Sequence, residues 1–524
     1  MPSLEKYQVT VKPFKGAARA KLGEKIIAES EGCMVLYETG CPPCLYFPRT
    51  SILDGDLKES AKVSFCPFKG NANHFHLEVD KQSHEDLIWS YETALNESRE
   101  ISGYISFYPD RVNVETEVDL NAQLPVSGAF IPDSLINWAV LKAPSFSSLD
   151  ELVSSYVDEI RAFHGDLCHI RVLVQTLHPQ LLGLGFKWTD DGHGLEYFDV
   201  DDHILNNPVF TNSPLKEVVF KKGGVRVQLE KNPNLDAYPI LKDFSEMGVT
   251  DYCALPLIFS SGHHNVLSIA TRSPGGYTTA DLGSIYQSLG LFGAILEKHI
   301  ANRNMDTFLQ TYLGSLSSQK LLAGKTKRGD GDEIRAVIVY SDLRNSTQLI
   351  NELNHLDFLE VLNEYFDAIA DAIISEDGEI LQYIGDAVLG FFPITDPNDL
   401  DKVCLAAERA VEKAFTSLEE VNDRFANKEG YPIACGVALH LGKCVYGNIG
   451  TKDRLAFTSI GPCVNKTVRL ESLCKSEGGP FLVSKEFAEA SQNEYSLIGM
   501  RAIKGFKDEV EVYGKSLDSL KLVG

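Results

Sequence analysis

What the 524-residue chain lacks removes several classes of function. No run of about 18 apolar residues occurs, which excludes an obvious membrane-spanning helix. The opening Met1-Pro2-Ser3-Leu4-Glu5-Lys6 has no apolar signal core. A long basic block is also missing. With 73 acidic residues against 49 basic ones and a formal charge of −24, nucleic acid and anionic membrane surfaces are poor partners. A second C-x-x-C is absent: Cys41-Pro42-Pro43-Cys44 is the close pair among eleven scattered cysteines. Cys66, His74 or His76 could complete a zinc site with it, but the motif is incomplete and no metal is expected there. These absences lead us to expect a soluble, cytoplasmic protein with reduced thiols.

What is present is globular: 44% hydrophobic and 10% aromatic residues, enough for several cores, in a length that suggests about three domains. Residues 1–118 read as short strands separated by turns, such as Glu31–Glu38, Leu45–Arg49 and Gly103–Tyr108, and an all-β domain is expected. Three local signatures, Cys66-Pro67-Phe68-Lys69-Gly70, Trp89-Ser90-Tyr91 and Gly103-Tyr104-Ile105-Ser106-Phe107-Tyr108, resemble a small bacterial β-rich family of unknown function. Lys69 with Arg49 and the aromatics could line an anion or small-ligand pocket, although Trp89, Tyr104 and Tyr108 read first as core.

Residues 128–300 open with helical patterns at Ser134–Leu141 and Leu149–Phe163 and continue with strands such as His169–Val174 and Tyr252–Phe259. Gly275-Gly276-Tyr277-Thr278-Thr279-Ala280-Asp281 then starts a long helix, capped by Thr278 or Thr279. This α+β order is similar to GAF-type sensory domains, which implies an unknown small ligand. His178, His263 and His264 have no carboxylate or cysteine at metal spacing, so no metal is expected there either. Residues 301–329 read as a linker helix and transducer segment. From Gly314 to Asp332 a basic-then-acidic linker is expected.

The C-terminal region, residues 330–515, carries the chemistry. Asp342 follows the β-branched run Ala336-Val337-Ile338-Val339-Tyr340 and precedes a long helical pattern starting near Ser346 and Thr347. Asp386 falls in Gly385-Asp386, a two-residue turn between two apolar strands. An Asp at a strand end is usually a cap or turn former. Two of them beside a helix start instead suggest a carboxylate pair for two metal ions near a phosphate. Further along stand Gly436–Gly442, Tyr446–Gly450 and Arg454–Glu471, the last containing Phe457-Thr458-Ser459-Ile460-Gly461 and Asn465-Lys466-Thr467-Val468-Arg469.

With these segments in that order the region resembles the class III nucleotidyl cyclases. The resemblance implies an α/β domain of ferredoxin-like β-α-β-β-α-β type and the conversion of ATP to cyclic AMP and pyrophosphate. Asp342 and Asp386 match the family's two metal-binding aspartates, and Leu343 the position whose carbonyl adds a ligand, for two Mg2+ or Mn2+ ions per site. Ser346 and Thr347 open the phosphate-facing helix. Asn465 and Arg469, four residues apart on one helix face, match the transition-state pair, and Lys504 the late lysine that contacts terminal phosphates. Asn345 and Ser346 depart from the commoner Gly and Phe, and Lys443 fills a variable site.

Base selection stays open. Thr458 matches the Thr-bearing adenylyl branch, whereas Gln382 stands where adenylyl cyclases carry Lys and guanylyl cyclases Glu, and its amide can both donate and accept. A guanylyl or relaxed purine cyclase, or a catalytically silent nucleotide-binding module, are the alternatives. In the family the metal aspartates and the base-binding, Asn and Arg residues come from different catalytic domains, so a homodimer is implied.

Overall fold

The computed structural model describes residues 7–39, 41–80, 82–118, 120, 134–221, 223–231, 238–262, 264–426, 432–477 and 479–515. His263 therefore lies outside the described residues. The chain forms two compact units, Met1–Asn304 and Met305–Gly524. None of the described helices is long and apolar enough to cross a membrane.

The first unit begins with ten strands: β1 (Val9–Pro13), β2 (Ala18–Leu22), β3 (Lys25–Ser30), β4 (Met34–Glu38), β5 (Cys44–Tyr46), β6 (Asp56–Cys66), β7 (Gly70–Val79), β8 (Gln82–Ser90), β9 (Ile105–Phe107) and β10 (Asn113–Thr116). They pair as three sheets, β1-β4-β5, β10-β2-β3 and β6-β7-β8-β9. Alternation does the sorting: Phe75, Leu77 and Val79 of β7 turn inward, as period-two side chains must.

An α+β region follows, with α1 (Ser134–Leu141), α2 (Leu149–Phe163), β11 (Leu167–Gln175), β12 (Gly183–Thr189), β13 (Gly194–Val200), the short helices α3 (Asp202–Asn206), α4 (Pro208–Thr211) and α5 (Pro214–Lys221), β14 (Val225–Gln228), α6 (Pro239–Glu246), β15 (Asp251–Ile258), β16 (His264–Thr271) and α7 (Thr279–Leu313). Its antiparallel sheet has the order β13-β12-β11-β16-β15-β14. Ser148 caps α2 by accepting from Glu151 N–H, and Leu149, Leu152, Val153, Tyr156, Val157 and Ile160 form the buried stripe. Thr278 Oγ1 accepts from Asp281 N–H at 3.1 Å to start α7. Tyr156 stacks on Phe292 of α7 with ring centroids 4.0 Å apart, and its hydroxyl meets Ser288 Oγ at 2.9 Å.

The β-rich and α+β regions share one hydrophobic core that runs from Tyr7, Leu36, Phe65 and Phe68 to Leu282, Ile285 and Leu289. Polar contacts reinforce the seam: Arg226 donates to Glu97 at 2.7 Å and Asp251 at 2.9 Å, and Tyr286 donates to the Phe65 carbonyl at 3.0 Å.

In the second unit come α8 (Ser315–Leu322), β17 (Gly331–Leu343), α9 (Ser346–Glu352), α10 (His355–Ser375), β18 (Glu379–Ile384), β19 (Ala387–Ile394), α11 (Leu400–Ala426), β20 (Cys435–Gly450), β21 (Leu455–Ile460), α12 (Pro462–Glu477), β22 (Phe481–Ser484), α13 (Lys485–Ala488), β23 (Ser496–Arg501) and β24 (Val510–Gly514). The strand order is β18-β19-β17-β20-β22-β24-β23, with β21 paired to the far half of β20. Its first four strands and their helices give the β-α-β-β-α-β arrangement. Val337, Val339 and Val388 face α10 and α11, while Ile338, Tyr340 and Leu389 face the side covered by α8 and α12.

Two expectations are corrected. The long helix expected after Asp342 is two helices, because Leu353 is extended and the Asn354 side chain, accepting from Leu356 and Asp357 N–H, starts α10 afresh. The stretch from Gly314 to Asp332, expected as a basic-then-acidic linker, contains α8, whose Leu316 and Leu321 join the sheet's apolar face. There Ser317 Oγ lies 2.6 Å from Tyr446 Oη, and Leu316 N–H donates to Glu379 at 2.7 Å.

Candidate active site

Asp342 is the penultimate residue of β17 and pairs across the sheet with Ala387 and Gly436. Asp386 sits in the β18–β19 turn, where Ile384 pairs with Ala387 and Gly385 takes φ 65°. A positive φ at the first turn position alone is the II′ pattern that glycine permits. The two turns touch: Leu343 N–H donates to the Asp386 carbonyl at 3.3 Å. Sheet pairing thus brings together two aspartates far apart in sequence.

Electrostatics agree with that closeness. Partial burial and then the Asp386 charge raise the Asp342 carboxyl above its usual range, against the pull of Arg344 and Lys475. Glu471 of α12 is raised to about 7, chiefly by burial, with Arg344 opposing and Asp342 and Asp386 adding. Its carboxylate lies 2.9 Å from Arg344 Nη2, with the side chains 4% and 19% exposed. Gly436, opposite Asp342, leaves the space this pair fills, since a Cβ there would collide with both Arg344 and Glu471.

Beyond β17 the chain turns through Asn345 at φ 57°, ψ 23°. This left-handed conformation explains why Gly is commoner at that point and why Asn is tolerated. Ser346 and Thr347 then begin α9 and, with Asp342, Arg344, Glu471 and Lys475, line a cavity of about 730 Å3.

The remaining predicted residues are placed elsewhere. Gln382 is exposed on β18, aligned through Leu389 with Tyr340. Thr458 is half-buried on β21, opposite Gly447, and β18 also contacts β21. Asn465 and Arg469 are exposed on α12. Arg469 projects about 200° around the helix from Glu471, two residues at about 100° each. Lys504 is exposed in the loop between β23 and β24, the strand pair at the opposite edge of the sheet from the β18–β19 pair that carries Asp386. None of these five lines the Asp342 cavity. Sequence reasoning missed Arg344, Gly436, Glu471 and Lys475 as parts of the site. The signal was an Arg and a Glu inside the quoted motifs, but their pairing exists only in the fold.

The chemistry of the donors suits hard cations. Asp342 and Asp386 are oxygen donors whose mutual repulsion a divalent ion would relieve, and the Leu343 backbone could add a third oxygen. No group of three or more His, Cys, Asp or Glu side chains able to hold a metal occurs among the described residues. Backbone, water and substrate phosphate would have to complete the sphere, as Mg2+ tolerates well.

The domain is a mixed α/β sheet with two carboxylates at adjoining strand ends. Residues 332–516 match the family described as adenylate and guanylate cyclase catalytic domain, and residues 10–118 match a domain of unknown function, DUF427. The chain thus carries a class III cyclase catalytic domain in its C-terminal part and a DUF427 domain in its N-terminal part. An uncharacterized protein of Mycobacterium tuberculosis is 32% identical over 164 residues, 31% of this chain and 28% of that protein. Adenylate cyclase 1 of Rhizobium meliloti is 27% identical over 184 residues, 33% of this chain and 26% of that protein. The crystal structure of a guanylyl cyclase is similar with TM-score 0.31 and 30% identity, covering 35% of this chain and 92% of that one. The match spans little more than a quarter of the length of these curated relatives.

Proposed function

We propose that the protein is an adenylyl cyclase that converts ATP to cyclic AMP and pyrophosphate by attack of the ribose 3′-hydroxyl on the α-phosphate. The observation that carries this reading is the meeting of Asp342 and Asp386 at touching turns. Asp342, Asp386 and the Leu343 carbonyl would hold two Mg2+ or Mn2+ ions, which when bound neutralise triphosphate charge and acidify the attacking hydroxyl. Ser346 and Thr347 receive phosphate at the α9 turn. Asn465 orients the ribose, and Arg469 holds the charge that grows on the α-phosphate oxygens. Lys504 takes the terminal phosphates.

The active unit in this reading is a homodimer. A second copy supplies Gln382, Thr458, Asn465, Arg469 and Lys504 in this reading, and the fact that none of them lines the cavity beside its own Asp342 supports it. Exposed apolar side chains beside them, Tyr383, Ile384, Val445 and Ile460, favour a covering partner surface.

Thr458 favours adenine. A relaxed purine preference is the second reading, because Gln382 presents an exposed amide that suits either purine edge. The α+β region acts as a GAF-like sensory module. Its antiparallel sheet followed by α7 supports that assignment, and a cavity of about 450 Å3 that includes Leu173, Phe259, Ile300 and Ala301 offers room for a small ligand beside α7.

The test is turnover of ATP and of GTP by purified protein with Mg2+ or Mn2+, beside Asp342→Ala. Cyclic AMP formed by wild type and lost in the variant is expected. No cyclic product from either nucleotide at any protein concentration would leave a silent nucleotide-binding domain.

A further inference from the structure

Three signatures of the N-terminal domain take no part in the cyclase reading, and the fold brings them to one cavity. The first supplies Lys69 from the β6–β7 turn, the second Trp89 and Tyr91 from the end of β8, and the third Tyr108 from just beyond β9. With Glu38 and Cys44 they line a space of about 280 Å3. Trp89 and Tyr108 meet edge to face with ring centroids 4.8 Å apart, and the Lys69 ammonium lies 5.9 Å from the Tyr91 ring centre.

Charge at this wall is unusual for a stability device. Lys69 Nζ donates to Glu38 at 2.6 Å, and the two side chains are only 13% and 7% exposed. Tyr7 Oη donates to the other Glu38 oxygen at 2.5 Å. A buried ion pair adds little net stability over apolar packing, so its place on a cavity wall points to use. Glu38 has both oxygens engaged, whereas Lys69 has three N–H donors and, among the described residues, this one acceptor. Two donors are left for a guest.

The pair is already balanced, and a further cation at this wall, Lys62, is exposed and donates to Tyr108 Oη at 3.4 Å, so an anionic guest would be poorly compensated in a half-enclosed, low-dielectric site. His74, also on the wall, offers no compensation: burial holds its imidazole below the usual range, with Tyr108 Oη and Ser64 Oγ at its two nitrogens. The size is just below the range of about 300–1,000 Å3 typical of drug-sized ligands, which restricts the guest to one small ring system.

We propose that this cavity binds a neutral, planar ring compound bearing a carbonyl oxygen, with the ring against Trp89, Tyr91 and Tyr108 and the carbonyl accepting from Lys69. Aromatic walls reward a flat ring, and the ammonium rewards an acceptor. The proposal stands apart from the cyclase reading, because its readout is binding alone.

The experiment uses the full chain and ligand-observed saturation-transfer NMR with nicotinamide, nicotinate and uracil as probes. The first two share a ring and differ in amide against carboxylate. At least one neutral ring should bind saturably, at least tenfold more tightly than nicotinate. Binding should fall at least tenfold in Tyr108→Leu and in the paired variant Lys69→Met with Glu38→Gln, which removes both charges together. If the paired variant fails to fold, half-buried Tyr108→Leu decides alone. Three results would each overturn the proposal: saturable binding by neither neutral ring, nicotinate bound as tightly as nicotinamide, or neutral-ring affinity unchanged in Tyr108→Leu.

Discussion

Removing one member of the Arg344–Glu471 pair should destabilise the catalytic unit far more than a surface ion pair would. Glu471 is 4% exposed and Arg344 19%, the contact is 2.9 Å, and Gly436 leaves space for both groups. Glu471→Ala leaves the partly buried Arg344 guanidinium without its partner, and Arg344→Met strands the buried Glu471 carboxyl and drives it further up; breaking such a pair costs about 3–5 kcal/mol. For a unit of about 150–250 residues each kcal/mol lowers the midpoint by about 2–4 °C, so the catalytic transition should drop by roughly 6–20 °C. Differential scanning calorimetry at pH 8 is the assay, because there the Glu471 carboxyl, raised to about 7, is mostly ionised. Two compact units need not melt together, so the catalytic transition is assigned by comparison with an isolated Met305–Gly524 fragment if that fragment folds. Arg344→Met with Glu471→Leu should recover most of the loss, since both charges go together. Single variants that shift the midpoint by less than about 2 °C would instead make the pair a surface contact in energetic terms.

Arg469→Ala and Asn465→Ala should each lower kcat about 100- to 1,000-fold, the effect of losing one transition-state donor, while leaving the melting midpoint nearly unchanged because both residues are exposed. A large loss of stability in either would instead give it a structural role. Gln382→Lys should raise the ATP:GTP ratio of kcat/KM, and a flat ratio would remove Gln382 from base selection. His440 should make the catalytic unit acid-sensitive. Burial, with Lys466 adding, lowers its imidazole to about 4, while Glu486 opposes and Ser484 Oγ lies 2.8 Å from Nδ1. A depressed base contributes stability that is complete above the unfolded value near 6.5 and lost as pH falls through 4, about 3 kcal/mol in all. Denaturant unfolding of wild type against His440→Gln across that window should show the difference in slope, and parallel curves would contradict it.

The elements that carry strong local signals were legible in the sequence. Helix α2 has the bounds its apolar period predicts, Thr278 caps α7, and the Gly385-Asp386 turn falls where glycine and the flanking apolar strands place it. Asp342 could be singled out because it ends a run too apolar to be a loop. What escaped is tertiary. Nothing local announces that Arg344 reaches Glu471, or that Gly436 must be small for that reason. The division of the helix at Asn354 hides inside a continuous apolar period, and α8 hides in a polar segment because its apolar contribution to the sheet face is just Leu316 and Leu321. Trp89 and Tyr108 read as core packing because aromatics on strands usually are; the fold leaves both half-buried on a cavity wall beside Lys69. Arg49, expected near them, instead pairs with Glu92 at 2.6 Å and stacks over Phe75.

In the proposed dimer Asp342 and Arg469 act in the same site from different copies. Mixing Asp342→Ala with Arg469→Ala, each inactive alone, tests it directly. A mixed dimer would hold one site with both substitutions and one with neither. With free exchange of equal amounts, half the dimers are mixed, and about one quarter of wild-type cyclic AMP production should return. A mixture no more active than either parent, with mixed dimers demonstrated by native mass spectrometry, would contradict the account.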